Sequence, residues 1–166
     1  PARSYSPGRL AWRRLRRNRT AMAAAAVLAL LYLMAIFGSF ISPYDPAERN
    51  YAMTNHPPML PRFVDEHGRV HLRPFVYGMV LVDPVRQRWK YDLTQKYPIR
   101  FFVASPPYKL WWVIPMHTRL FGVDAPGLIH LLGTDSVGKD VFSRCLEGGK
   151  ISLSIGLMGI TISLLI

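Results

Sequence analysis

Residues 21–41 carry no charged side chain. As a helix rising 1.5 Å per residue, this run would extend about 31 Å, roughly the hydrocarbon thickness of a bilayer. A second uncharged run, 16 residues long, occupies positions 151–166 and is short for a full span. The chain therefore reads as the amino-terminal piece of a longer protein that enters a second membrane helix. Between the two runs the pattern changes. Short β-prone stretches (Phe75-Val76-Tyr77, residues 79–82, residues 99–103) alternate with Pro57-Pro58, Pro61, Pro74, Pro84, Pro98, Pro106-Pro107, Pro115 and Pro126. Aromatic and β-branched residues between such breakers predict short strands and turns. The most apolar stretch there, residues 108–114 with Trp111-Trp112, is expected to pack in a core, an interfacial anchor being the other reading.

The expected fold is thus a membrane protein, mainly α. Residues 1–19 form a basic cytoplasmic segment and residues 20–41 a transmembrane helix. Residues 42–150 form an irregular α+β extracytoplasmic insertion ending in an amphipathic helix over 136–147, and residues 151–166 begin transmembrane helix 2.

Charge orients this plan. The first nineteen residues hold seven arginines and no acid: Arg3, Arg9, Arg13, Arg14, Arg16, Arg17 and Arg19. Positive flanks resist translocation, so the chain starts inside the cell and crosses outward. A cleaved secretory signal would have an apolar region of about 7–15 residues and a small-x-small cleavage site. Here the run is longer and closes on Ser39-Phe40-Ile41-Ser42-Pro43. The net charge of +11 does not point to nucleic acid, since a basic run touching a span serves as a lipid-headgroup anchor and no stacking aromatics flank it. Ser6-Pro7 has the chemistry of a helix start, and Leu10, Ala11, Trp12 and Leu15 among the arginines predict a short surface helix. Ala25 and Ala29 would admit a neighbouring helix closely. Pro43 and Pro46 around Asp45 take the chain out of the membrane. Cys145 is the sole cysteine, so no internal disulfide exists.

Catalytic signals are weak. His67 and His71 are four apart, but Gly68 and Pro74 argue against the helix that a shared metal would need. Asp65-Glu66 reads as a polar turn, and no Gly-x-Ser-x-Gly elbow occurs. Gly133, Gly138 and Lys139 have Walker A spacing, which would suit a nucleotide-binding enzyme. The position for the magnesium-ligating Ser or Thr is instead Asp140, and Asp135 would add a second negative charge among phosphates. Read physically, Asp135 or Ser136 caps a helix through Glu147, which Gly148-Gly149 ends.

The same stretch carries a resemblance. Leu132, Gly133, Thr134, Asp135, Gly138, Asp140, Ser143 and Arg144, followed by Ile151-Ser152-Leu153, resemble the signature before the second span of dipeptide/oligopeptide ABC transporter permeases, C-type subunit. Lys139 stands where the family has arginine, and Gly149-Lys150 where it has Ala-Arg. Leu15-Arg16-Arg17-Asn18 and Ile41-Ser42-Pro43-Tyr44-Asp45-Pro46 around the first span are also similar to the family. The resemblance covers both ends of the chain around a longer middle insertion.

It implies a transport subunit, not an enzyme, in a bacterial inner membrane. Such a subunit forms half the pathway of an ATP-driven importer, the implied cargo being dipeptides or oligopeptides. The implied partners are a second permease subunit, two cytoplasmic ATPases and an extracytoplasmic substrate-binding protein, beside membrane lipid. ATP would be bound by the partner ATPases, with no cofactor on this chain. The competing reading is a signal-anchored extracytoplasmic interaction module.

Overall fold

The computed structural model describes residue 12 and residues 14–110 and 113–166. The cap expected at Ser6-Pro7, together with Arg3, Arg9, Arg13 and the Trp111-Trp112 pair, lies outside the described residues.

Residues 14–17 are helical. Asn18 then interrupts the backbone and caps α1 (Arg19–Ile36), its Oδ1 accepting from the amides of Thr20 at 3.1 Å and Ala21 at 3.3 Å. Asn is well suited to this role because its side chain replaces the missing partners of the first turn. The expectation of one continuous helix over 20–41 is corrected at Phe37, where the backbone leaves helical geometry before α2 (Gly38–Ile41). There Gly38 faces Leu146, with 3.5 Å between its would-be Cβ and the leucine Cβ.

The second long helix, α3 (Val141–Leu165), returns alongside the first. Gly38 meets Leu146, and Lys150 Nζ donates to Ser39 Oγ at 3.2 Å, so the end of α1–α2 lies beside the start of α3. The helices are therefore antiparallel. Both are long and apolar enough to cross a membrane, and most of their large side chains are exposed, as in Leu28, Leu30, Leu33, Ile155, Ile160 and Leu164. Two expectations are corrected here. The helix begins at Val141, not at 136, and it runs through Gly148-Gly149 without ending. Asp140 wins the cap because its carboxylate reaches back to the Ser143 amide at 2.8 Å, whereas Asp135 is used in the preceding turn.

The segment between the helices is more regular than its prolines predict. Four antiparallel strands lie in sequence order: β1 (Arg62–Val64), β2 (Val70–Asp83), β3 (Arg88–Leu110) and β4 (Ile114–Val123). With 14 residues in β2 and 23 in β3, against 18 in α1 and 25 in α3, the chain is not mainly α, nor is this segment irregular. Its strands tolerate proline for a specific reason. Residues 88–98 of β3 pair with β2 and residues 99–110 pair with β4, so each half has a partner on one side only. Half of its amides then need no ladder partner, and proline fits at such edge positions. Pro106 and Pro107 fall where the register shifts between Ala104 and Tyr108.

The core sits where this sheet meets the loops flanking the helices. Met59, Val76, Ile99 and Ile129 are buried, with Tyr44, Tyr97, Phe121 and Leu131 packed against them.

Candidate functional site

The family-like segment folds back on the stretch that follows the first helix, and the two are tied by backbone hydrogen bonds. Thr134 N donates to His56 O, Asn55 N to Asp135 O, and Asn50 N to Gly138 O, each at 3.0 Å. Thr134 Oγ1 donates to Met53 O and accepts from His56 N at 2.9 Å. One threonine thus serves both strands of this clasp.

Gly133 and Gly138 each adopt φ of 75°, the left-handed region that favours glycine. A Cβ on Gly133 would enter the backbone of His56 and Pro57, and one on Gly138 would enter that of Asn50. These glycines are required by close backbone approach. Asp135 organises the turn between them, its Oδ1 accepting from Val137 N at 3.0 Å and Lys139 N at 2.9 Å. Its other oxygen accepts from the Arg144 guanidinium, so helix α3 is pinned to the turn that precedes it. Burial opposes ionisation of Asp135, but the Lys139 and Val137 amides and Arg144 outweigh it and hold the carboxyl below its ordinary value.

Asp140 is the hub. Only 2% exposed, it accepts from Ser143 N at 2.8 Å and Ser143 Oγ at 2.6 Å through Oδ2. Through Oδ1 it accepts from His130 Nδ1 at 3.0 Å. A carboxylate oxygen can only accept here, so His130 Nδ1 donates in this bond. Its buried Nε2 has no hydrogen-bond partner among the described residues. The His130 ring lies 5.0 Å from that of Tyr44 and 5.6 Å from that of His56, which in turn lies 4.6 Å from Trp89. Burial lowers the His56 pKa to about 4, despite the 2.7 Å hydrogen bond from Nδ1 to Pro57 O. Burial likewise raises Tyr44 to about 12, even though its oxygen accepts from Ile129 N at 2.8 Å.

A second tie fixes the exit from the first helix. The buried Arg119 of β4 donates to Ser42 O at 2.8 Å and Tyr44 O at 3.0 Å, with its guanidinium 4.8 Å from the Tyr108 ring centre.

Of the residues singled out in the sequence, Gly133, Thr134, Asp135, Gly138, Asp140, Ser143 and Arg144 come together in this clasp. Leu132 is exposed at its edge. Arg14, Arg16, Arg17 and Arg19 are exposed around the start of α1, far along the chain from the clasp. The clasp's supporting partners Asn50, Met53, His56 and Arg119 were not singled out, because the hydrogen bonds involved join residues some 80 positions apart. The exit motif Ile41-Ser42-Pro43-Tyr44-Asp45-Pro46, with Tyr44 in it, was the sequence signal near them.

The arrangement is not a phosphate cradle. A Walker loop needs free backbone amides aimed at the ligand. Here the amides of Gly133, Thr134, Asp135, Val137, Gly138 and Lys139 all donate within the protein. Asp65, from the other acidic pair, anchors a turn. It accepts from the Arg69 and His67 amides at 2.9 Å, from His71 at 3.2 Å and from Lys96 at 3.1 Å. The Arg69 amide first, and then His71, Lys96 and the His67 amide, hold this carboxyl well below its ordinary range against the effect of burial.

Residues 6–58 match a family described as the N-terminal TM domain of oligopeptide transport permease C. Over 166 residues, all of this chain and 30% of the relative, it is 25% identical to the dipeptide transport system permease protein DppC of Bacillus subtilis. It is 26% identical over 162 residues to the glutathione transport system permease protein GsiD of Escherichia coli, covering 98% of this chain and 31% of that one. A putative peptide permease protein of Brucella abortus is 34% identical over 92 residues, 55% of this chain and 26% of the relative. The chain therefore spans about a third of the length of these relatives. No solved structure matches it. The chain is thus similar to the C-type permease subunits of oligopeptide/dipeptide ABC transporters.

Proposed function

We propose that this chain contributes the amino-terminal part of a permease subunit that forms half the pathway of an ATP-driven peptide importer. Its cargo is dipeptides or oligopeptides, the class named in several relatives. A second permease subunit completes the pathway, two cytoplasmic ATPases bind and hydrolyse ATP, and an extracytoplasmic binding protein delivers the peptide. The chain itself does no covalent chemistry.

The observation that carries this reading is the clasp joining two antiparallel apolar helices at one end. An alternating-access pathway needs helices that move as units, and a clasp fixing both helix ends transmits motion of one to the other. Orientation follows from the arginines. Arg19 lies in the first turn of α1 and Arg16 and Arg17 precede it, where the helix dipole disfavours positive charge. Their placement serves topology instead, keeping this end cytoplasmic and the clasp outside. The protein is then a multi-pass protein of the bacterial inner membrane.

The test is uptake. Removing this protein from its host should abolish accumulation of a labelled dipeptide and leave that of a free amino acid unchanged. Undiminished dipeptide uptake in the deletion strain, with no second peptide importer present, would overturn the proposal.

A further inference from the structure

We infer that Met53, His56, Met59 and Met79 form a site for one soft monovalent cation, copper(I) or its redox-inert analogue silver(I), behind the clasp.

Three of these donors lie in one short segment, Met53-Thr54-Asn55-His56-Pro57-Pro58-Met59, with a donor at every third position. The fourth, Met79, comes from β2. The fold brings all four to the wall of one cavity of about 240 Å³. Three of the chain's seven methionines therefore border the same space. Methionine ordinarily closes irregular gaps, because its side chain is unbranched and flexible. Here a gap remains among three of them, walled by sulfur and imidazole, and the same flexibility lets the sulfurs turn toward an ion.

The donor set selects the class of ion. Soft thioether sulfur favours copper(I), and imidazole suits copper as well, whereas magnesium and calcium take oxygen. Among the described residues no three His, Cys, Asp or Glu side chains gather as a metal site, so zinc finds no comparable set of donors. His56 is oriented as a metal-binding histidine is. Its Nδ1 lies 2.7 Å from Pro57 O, and a carbonyl only accepts, so Nδ1 donates and an ion would take Nε2. Nε2 makes no hydrogen bond among the described residues. The Trp89 ring, 4.6 Å away, packs against this imidazole. Met59 Sδ accepts from His130 N at 3.5 Å, which anchors that sulfur and leaves it a second lone pair. The carboxylate of Asp92 borders the same cavity, and its charge favours a cation there.

Position gives the site a consequence. Met53 O accepts from Thr134 Oγ1, while His56 N donates to that hydroxyl and His56 O accepts from Thr134 N. The segment that carries three of the donors is the one the clasp grips. An ion joining it to Met79 braces the clasp against the sheet, and binding to the folded chain alone raises stability by mass action.

The experiment uses the protein purified in detergent with Cys145→Ser, which removes this chain's thiol, and silver(I) as the probe. Titration followed by thermal unfolding should show one tight equivalent that raises the melting temperature, with no such effect from zinc(II) or magnesium(II). Met59→Leu and His56→Gln should each weaken silver binding by more than the roughly 10–100-fold that loss of an outer-shell partner costs. Met158→Leu, on the exposed face of α3, should leave it unchanged. X-ray absorption of the chain with all its methionines, loaded with copper(I), should show both sulfur and nitrogen neighbours, a readout independent of whether any methionine variant folds. Silver binding undiminished in the triple variant Met53→Leu, Met59→Leu and Met79→Leu would overturn the site. A copper spectrum without sulfur, or no rise in melting temperature with silver, would do the same and leave these methionines to packing alone.

Discussion

Replacing Asp140 should do more damage than any other single change in the clasp, and the structure supplies the components of the cost. Its carboxylate caps α3 through the Ser143 amide at 2.8 Å and orients His130 at 3.0 Å, in a site only 2% exposed. Asp140→Ala removes the cap, worth about 0.5–2 kcal/mol, and leaves the His130 Nδ1–H unpaired in the interior, costing about 1–3 kcal/mol. Because His130 Nε2 already lacks a partner, the ring would have no protein hydrogen bond from either nitrogen. The expected loss is about 2–5 kcal/mol, a large part of the 5–15 kcal/mol by which domains are typically stable. Asp140→Asn is the informative contrast. Asparagine can keep the cap through its carbonyl, but its NH2 would then face His130 Nδ1–H in place of Oδ1, so it should lose about 1–3 kcal/mol, less than Asp140→Ala. Thermal unfolding in detergent would rank the variants, and hydrogen exchange of the amides at residues 143–146 would report fraying of the first turns of α3. Wild-type stability in Asp140→Ala would refute the role of the cap. Equal damage from Asn and Ala would show that the acceptor for His130, and not the cap, is what the site requires.

Other changes probe separate parts of the same account. Gly138→Ala forces both an unfavourable φ and a clash with the Asn50 backbone, and should destabilise by at least about 1–3 kcal/mol, visible as a lowered melting temperature. Arg119→Ala should cost about 1.5–3 kcal/mol for lost charged hydrogen bonds and loosen the exit from the first helix, read by hydrogen exchange at residues 42–48. Ile129→Ala, at a residue with no exposed surface, should cost about 2–5 kcal/mol in the same melting assay. His56 makes stability depend on pH. Burial places its folded value near 4, below the ordinary histidine value, so between the two the unfolded chain binds the extra proton. Stability should therefore fall as pH drops from about 6.5 toward 4, and a His56→Leu variant should lose that part of the slope.

What the sequence reveals here depends on how far apart the interacting residues are. The first apolar helix is legible because its signal is local: an uncharged run behind a basic flank, bounded by Asn18 and by Ser42-Pro43. The residues of the clasp are legible as a motif, but their purpose is not. Gly133 and Gly138 look like a phosphate loop until the backbones of His56 and Asn50 are placed beside them. The start of α3 is ambiguous locally, since Asp135 and Asp140 are both competent caps; tertiary contacts to His130 and Ser143 decide it. The long strands are hidden for another reason. Proline forbids a ladder hydrogen bond only where one is needed, and β3 changes partners midway, leaving edge positions that proline can fill.

Whether the clasp faces outward decides most directly between a transport subunit and an enzyme that uses cytoplasmic nucleotide. Ser136 is exposed at the tip of the clasp, and Cys145→Ser would remove the background thiol. A membrane-impermeant maleimide applied to intact cells carrying Ser136→Cys should label the protein as fully as in lysed cells, with outer-membrane access provided where needed. Labelling that appears only after lysis would place the clasp in the cytoplasm, and the proposed orientation and transport role would both fall.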